Sequence, residues 1–137
     1  KACADVRIEQ GEDTWIIPEM QEAYIELHRE GVAHSVESWL DGKLTGGLYG
    51  ISLGQCFFGE SMFSTKNDSS KVALVALVEF SKKVGIKMID CQMTTNHLLS
   101  LGAREVKRQK YLKDLKNFLQ KPSIVGNWNE FFIFNQK

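Results

Sequence analysis

No CxxC pair links the three cysteines, Cys3, Cys56 and Cys91. An odd count without metal-ligand spacing fits packed, inert thiols in a reducing, cytoplasmic setting. Histidine is equally sparse: His28, His34 and His97 are scattered, and no acid sits between a pair as in HExxH, so no metal site is expected. No apolar run approaches the roughly 18 residues that span a bilayer, so no membrane partner is expected. No basic-then-apolar segment opens the chain, so no signal peptide is visible. There is no GxSxG elbow to support a catalytic triad and no GxxxxGK[ST] loop. Gly46-Gly47 fails as a dinucleotide fingerprint, because the third glycine and the helix that should follow are missing.

What remains is ordinary in bulk and uneven in detail. At 137 residues, 43% hydrophobic and 25% charged, the chain suits a single domain with a real core, spanning residues 1–137. It starts at Lys1 rather than Met, which raises the expectation of a fragment. Net charge is zero, yet residues 1–40 carry nine acids against Lys1, Arg7 and Arg29. Residues 104–121 reverse this, with Arg104, Lys107, Arg108, Lys110, Lys113, Lys116 and Lys121 against Glu105 and Asp114. Such asymmetry points to two kinds of partner or to two solvated helix faces.

Along the chain, residues 1–13 read as the polar tail of an element cut short. Pro18 suits a first helical turn, Met20, Ala23, Tyr24, Leu27 and His28 form one stripe, and Gly31 ends the helix. Three strands follow, over 32–40, 44–52 and 55–60, with Asp41-Gly42-Lys43 as a hairpin turn. Gly46, Gly47 and Gly50 within the middle strand imply a bulge, or a backbone or ligand lying close against it. The helix-capping residues at 67–70 precede a helix over about 71–84 whose apolar positions run almost all the way round, which predicts burial. Residues 86–92 read as a strand paired in parallel with an earlier one through that helix. A short capped helix over 95–102, an edge strand over 104–107 and an amphipathic helix over 108–119 complete the core. Trp128, Phe131, Phe132 and Phe134 make the 122–137 tail aromatic, and it is expected to pack on the domain. The layout is α+β, a mixed and mostly antiparallel sheet flanked by helices, in the order found in GNAT-like acyltransferases.

Two places stand out chemically. In the strand Met88-Ile89-Asp90-Cys91-Gln92, period-2 geometry puts Asp90 and Gln92 on one face. An Asp accepting from the Gln NH2 would leave the amide oxygen free to accept from something else. The plain alternative is polar residues capping the next helix. Glu60 ends another strand after Gly59, as a ligand-facing acid or as an exposed hairpin end.

Several strings in register, His34-Ser35-Val36-Glu37-Ser38-Trp39, Gly46-Gly47-Leu48-Tyr49-Gly50, Gly59-Glu60-Ser61-Met62-Phe63-Ser64, Asp90-Cys91-Gln92 and His97-Leu98-Leu99-Ser100-Leu101-Gly102-Ala103, resemble the bacterial leucyl/phenylalanyl-tRNA–protein transferases. The likeness runs from about Thr14 to Leu119. It implies a C-terminal, GNAT-like catalytic domain whose N-terminal companion this chain lacks. It implies transfer of Leu, Phe or Met from aminoacyl-tRNA to a protein or peptide beginning with Arg or Lys, marking it for N-degron degradation. No cofactor is implied, since the ester is already activated, and a cytoplasmic monomer is expected. On this resemblance Asp90 and Gln92 are the catalytic pair and Glu60 binds the acceptor. Leu48, Phe57, Met62, Leu74 and Leu77 line the aminoacyl side-chain pocket, and Trp15 stacks on the 3′-terminal adenosine. Thr95 departs from the family, which often has Asn there. Two rivals stand beside this reading. One is a CoA-dependent N-acetyltransferase, disfavoured by the glycine-free turn Asp68-Ser69-Ser70-Lys71. The other is a non-catalytic binder of basic N-termini.

Overall fold

Turn chemistry sets the first half of the chain. In the computed structural model, which describes residues 1–11 and 13–130, helix α2 (Pro18–Arg29) stops before Gly31, whose φ of 75° is left-handed. Strand β1 (Ala33–Leu40) turns through Asp41 and Gly42, both at positive φ, into β2 (Lys43–Leu53). A second tight turn at Gly54-Gln55 leads to β3 (Cys56–Ser64). Helix α3 (Ser69–Val84) then crosses over to β4 (Met88–Asp90). The sheet order is β1-β2-β3-β4, with two antiparallel ladders and a parallel one between β3 and β4. The expected α+β layout and its parallel crossover are both present.

The glycines of β2 are explained by α3. A Cβ on Gly46 would stand 2.5 Å from the Ser69 side chain, so glycine lets the first turn of α3 lie directly on the strand. Ser38 Oγ donates to the Ser69 carbonyl there at 2.8 Å. A Cβ on Gly50 would stand 2.1 Å from the Phe58 carbonyl oxygen, at a break in the β2–β3 register. Beneath α3 the core gathers Val36, Leu48, Phe57, Ala73, Leu77, Phe80, Ile86 and Trp128. Each large apolar side chain removed from water there contributes roughly 1.5–3 kcal/mol. Helix α3 is less enclosed than its composition implied, because Val72 and Val75 are 60% and 58% exposed. Its N-cap Asp68 takes up Lys71 rather than a backbone N–H, and that ion pair holds the carboxyl below its usual range.

Residues 2–9 are not a polar tail. They form helix α1 (Ala2–Glu9), whose Cys3 and Ala4 are buried with Ile16 against Tyr49 and Phe63, on the sheet face opposite α3. Helix α2 covers the same face beside β1 with no fully buried residue; of its expected stripe Met20, Tyr24 and Leu27 are half-buried, while Ala23 and His28 stay exposed. After β4 come α4 (Asn96–Ser100), capped by Thr95 and closed at Gly102, and α5 (Arg108–Leu119). No strand forms over 104–107, since those residues pair with no neighbour in the sheet. The tail packs through Trp128, which donates to the Ile124 carbonyl and stacks on His34 with ring centroids 3.8 Å apart; Phe131, Phe132 and Phe134 lie outside the described residues. His34 is 4% exposed, and burial pushes its pKa down to about 4. All three cysteines are free, and burial pushes each thiol up. No described helix is long and apolar enough to cross a membrane.

Candidate functional site

The site lies where the parallel ladder ends. β3 and β4 pair only over Cys56↔Met88, Phe57↔Ile89 and Phe58↔Asp90. β3 then continues to Ser64 while β4 stops at Asp90, so the strands part and β3's edge opens from Gly59 onward. The expected strand over 86–92 is therefore shorter, and Gln92 does not share a strand face with Asp90. The cause is local. Asp90 Oδ1 accepts from the Gln92 backbone N–H at 2.8 Å, a turn that competes with the extended ladder. Gln92 sits at φ 62°, a left-handed conformation that costs a non-glycine residue roughly 1–3 kcal/mol.

That turn aims the amide across the gap. Gln92 Nε2 donates to the Gly59 carbonyl at 2.8 Å. The orientation expected from Asp90 is thus imposed by the backbone of β3 instead. The consequence is the same: the amide nitrogen is spoken for and the oxygen is left as an acceptor without a partner among the described residues. Asp90 Oδ2 accepts from the Tyr111 hydroxyl at 2.6 Å, so each carboxylate oxygen carries one protein donor. That hydrogen bond, ahead of burial, pushes Tyr111 up to about 12. Tyr111 reads in sequence as one more residue of the α5 apolar stripe; only the fold shows where its hydroxyl lands.

Glu60 is not at a strand end. Tyr49 pairs with Ser61 and Gly50 with Gly59, so Glu60 is the extra residue of a bulge inside β3. Bulges re-aim side chains, and this one turns the acid toward Tyr24 of α2 and Tyr49 of β2, not into the lining of the cavity at Asp90 and Gln92. Glu60 neighbours Tyr24 and Tyr49, whose rings meet edge-on at 5.0 Å. Both hydroxyls are pushed up, by burial first; for Tyr24 its hydrogen bond to the Glu60 carboxylate comes next, and for Tyr49 the nearby Cys3 and then Glu60. The ion pairs seen among the described residues leave Glu60 out.

A cavity of about 1080 Å³ opens in front of Asp90 and Gln92, walled by α4, the 101–106 segment and the inner side of α5. Of the five residues assigned to an aminoacyl side-chain pocket, Leu74 lines this cavity. Phe57 and Leu77 have 0% and 1% exposure and serve as core, with Leu48 nearly as deep; Met62 and Leu74 are half-buried against them. All five thus belong to one apolar cluster behind the gap. Trp15 is 45% exposed ahead of α2, beside the buried Ile16. Thr95 accepts from the Leu98 N–H at 3.1 Å, capping α4, a role Asn fills equally well. Among the described residues no group of three or more His, Cys, Asp or Glu could hold a metal ion.

The model of one family, leucyl/phenylalanyl-tRNA protein transferase, matches residues 1–116. The chain belongs to this family. A leucyl/phenylalanyl-tRNA–protein transferase of Aromatoleum aromaticum is 56% identical over 128 residues, 93% of this chain and 54% of the relative. One from Desulfatibacillum aliphaticivorans is 54% identical, over 93% of this chain and 55% of its own length. The chain thus spans about half the length of the curated relatives it matches. Among solved structures, an aminoglycoside acetyltransferase from an uncultured soil metagenomic sample aligns with a TM-score of 0.48 at 13% identity, over 87% of this chain and 75% of its own. At the edge where β3 and β4 part, Asp90, Gln92 and Gly59 are joined by hydrogen bonds, and Tyr111 adds a fourth member.

Proposed function

We propose that the protein carrying this chain moves Leu, Phe or Met from aminoacyl-tRNA onto the α-amine of a protein beginning with Arg or Lys, marking it for N-degron degradation. In this reading residues 1–137 form its GNAT-like catalytic domain, acting as a monomer in the cytoplasm. The observation that carries it is the amide of Gln92, fixed by Gly59 and Asp90 with its oxygen unspent.

The chemistry is aminolysis of an activated ester. The amine nitrogen attacks the ester carbonyl, the C–N bond forms, the C–O bond to the tRNA ribose breaks, and the ribose hydroxyl leaves with a proton in the net balance. An α-amine with a pKa of roughly 7.7–8.0 is partly neutral at physiological pH, so the site needs to place it more than to deprotonate it. Gln92 Oε1 accepts from that amine and aims its lone pair at the carbonyl. An amide oxygen is a very weak base and the Gln92 amide nitrogen is bonded to Gly59, so Asp90 supplies the negative charge and receives the proton through a water. Fixing amine and ester together supplies much of the acceleration. Glu60, unpaired by any described cation, takes the acceptor's basic side chain or ammonium. Leu74 at the cavity wall, with the half-buried Met62 of the same apolar cluster, receives the donated side chain, Met62 being adaptable to Leu, Phe and Met, while Leu48, Phe57 and Leu77 back them as core. Trp15 offers an exposed ring for the terminal adenosine. The outward cations of α5, Arg108, Lys113 and Lys116, face solvent beside this cavity and suit the phosphate backbone of tRNA.

The test is transfer of labelled Leu from Leu-tRNA to a peptide beginning with Lys or Arg by the full-length protein. Gln92→Ala is expected to slow transfer by about 100-fold, the scale of losing a group that positions reactants. Wild-type rates in that variant would remove Gln92 from the site, and absence of transfer by the parent protein would remove the function.

A further inference from the structure

Asp90 is poorly held by its own strand. β4 has three residues, its parallel ladder ends at this position, and no residue of the strand is fully buried. A carboxylate on such an end turns easily about its last torsion, which is broad and roughly two-fold. Yet the left-handed turn at Gln92, and with it the placement of the amide, depends on one oxygen of that carboxylate staying in reach of the Gln92 N–H. Something outside the strand has to hold it.

We propose that Tyr111 is a positioning residue of the transfer site: by donating its hydroxyl to Asp90 Oδ2 it fixes the carboxylate whose other oxygen holds the Gln92 turn. This rests on the aminoacyl-transfer reading of the site. The link is direct, at 2.6 Å, and continues at 2.8 Å from Asp90 to the Gln92 N–H and at 2.8 Å from the Gln92 amide to Gly59. Four groups from β3, β4, the following turn and α5 thus form a chain in which each member fixes the next. Tyr111 is itself well placed to serve as the fixed end. Its backbone N–H bonds to Lys107 in the first turn of α5, and at the far end of that helix the Phe118 carbonyl accepts from Gln55 N–H at 3.0 Å. Gly54 lets that end sit close, since a Cβ there would stand 2.4 Å from the same carbonyl. The helix is otherwise loosely attached, with no fully buried residue, so the hydroxyl at one end and the carbonyl at the other are its main polar anchors to the sheet. The raised pKa of Tyr111, at about 12, keeps its proton available to Asp90 across the physiological range. Chemically, a hydroxyl aimed at Oδ2 leaves each carboxylate oxygen with one fixed protein donor, so the group cannot turn without losing a bond.

Tyr111→Phe keeps the ring and removes the hydroxyl. In the full-length protein, with Leu-tRNA and an Arg-initiated peptide, it is expected to lower kcat by about tenfold while leaving both KM values within about twofold, the scale of one hydrogen bond to a charged group. In an Asp90→Asn background the same substitution should add little, since the two act as a unit. Independently of activity, hydrogen exchange at the Gln92 backbone amide should quicken in Tyr111→Phe while the amides of β2 keep their protection. A wild-type kcat, or effects of Tyr111→Phe and Asp90→Asn that simply multiply, would overturn the proposal, as would unchanged Gln92 exchange. A parent protein that transfers nothing would instead sink the functional reading, and the exchange measurement would still judge the tie between Tyr111 and Gln92.

Discussion

The β1–β2–β3 meander with α3 and the segment formed by β4, α4 and α5 are built by different means. The first is closed by backbone proximity: glycines at 46 and 50 admit a helix and a neighbouring strand to distances that no side chain allows, and Phe57 and Leu77 fill what remains. The second has short β4, two helices without a fully buried residue, and polar ties in place of a core. Glu60 belongs to the first region and Asp90 and Gln92 to the second, so the site is assembled across the seam where β3 and β4 part. A tightly packed half gives a fixed reference, the Gly59 carbonyl, against which the loosely packed half is aligned by a few hydrogen bonds. Substitutions in the first region should therefore read out as stability, and those in the second as rate.

The largest expected effect is at Gly50. Its added Cβ would meet the Phe58 carbonyl at 2.1 Å and the Phe57 ring at 2.7 Å, neither of which can yield. Gly50→Ala should cost about 3 kcal/mol and lower the melting temperature by roughly 10 °C. A melting temperature within about 3 °C of the parent would show the meander to be looser than its geometry.

Acid should weaken the same region through His34. Its folded pKa of about 4 lies below the unfolded value of 6.5, so the folded state resists a proton that the unfolded chain accepts. Stability from keeping it neutral is complete above pH 6.5 and is lost as pH falls toward about 4, by up to roughly 3 kcal/mol. Urea melts of the parent and of His34→Phe across that window should differ in slope, the variant being flatter; parallel curves would locate the acid sensitivity elsewhere.

Gln92→Gly separates the two regions most clearly. Glycine accepts a φ of 62° without strain, so stability should hold or rise slightly even though the bond to Gly59 is lost. Transfer should still fall by about 100-fold, because the amide is gone. A destabilised protein would mean that the Gln92 bridge also holds the seam shut. Smaller still is Glu60→Gln, which should raise the acceptor KM by about tenfold, leave the donor KM alone and shift the melting temperature little; a donor-side change would move Glu60 from the acceptor to the tRNA.

Much of the scaffold was legible because it is written in local chemistry. Pro18 and Gly31 bracket α2, Asp41-Gly42 marks the hairpin, Thr95 and Gly102 bound α4, and the glycines of β2 announced a close neighbour without saying that it was Ser69. Helix α1 was not legible, because only Cys3 and Ala4 of its residues are buried and their partners, Tyr49 and Phe63, lie far along the chain. The strand imagined over 104–107 failed for the converse reason: alternation in a short polar stretch gives no partner to pair with.

At the site the division is sharper. Sequence determined the residue types and their local order: an acid and an amide two apart after an apolar strand, an acid after a glycine, a tyrosine on a lysine-rich helix. Tertiary structure decided what each one touches. The parting of β3 from β4 gave Gln92 a carbonyl to bind, the mismatch with β2 turned Glu60 into a bulge, and the docking of α5 on the Gly54 hairpin delivered Tyr111 to Asp90. The side-chain bonds of Gln92 to Gly59 and of Tyr111 to Asp90 join residues 33 and 21 positions apart, and no local spacing rule can specify a hydrogen bond whose partner is placed by the packing of another element.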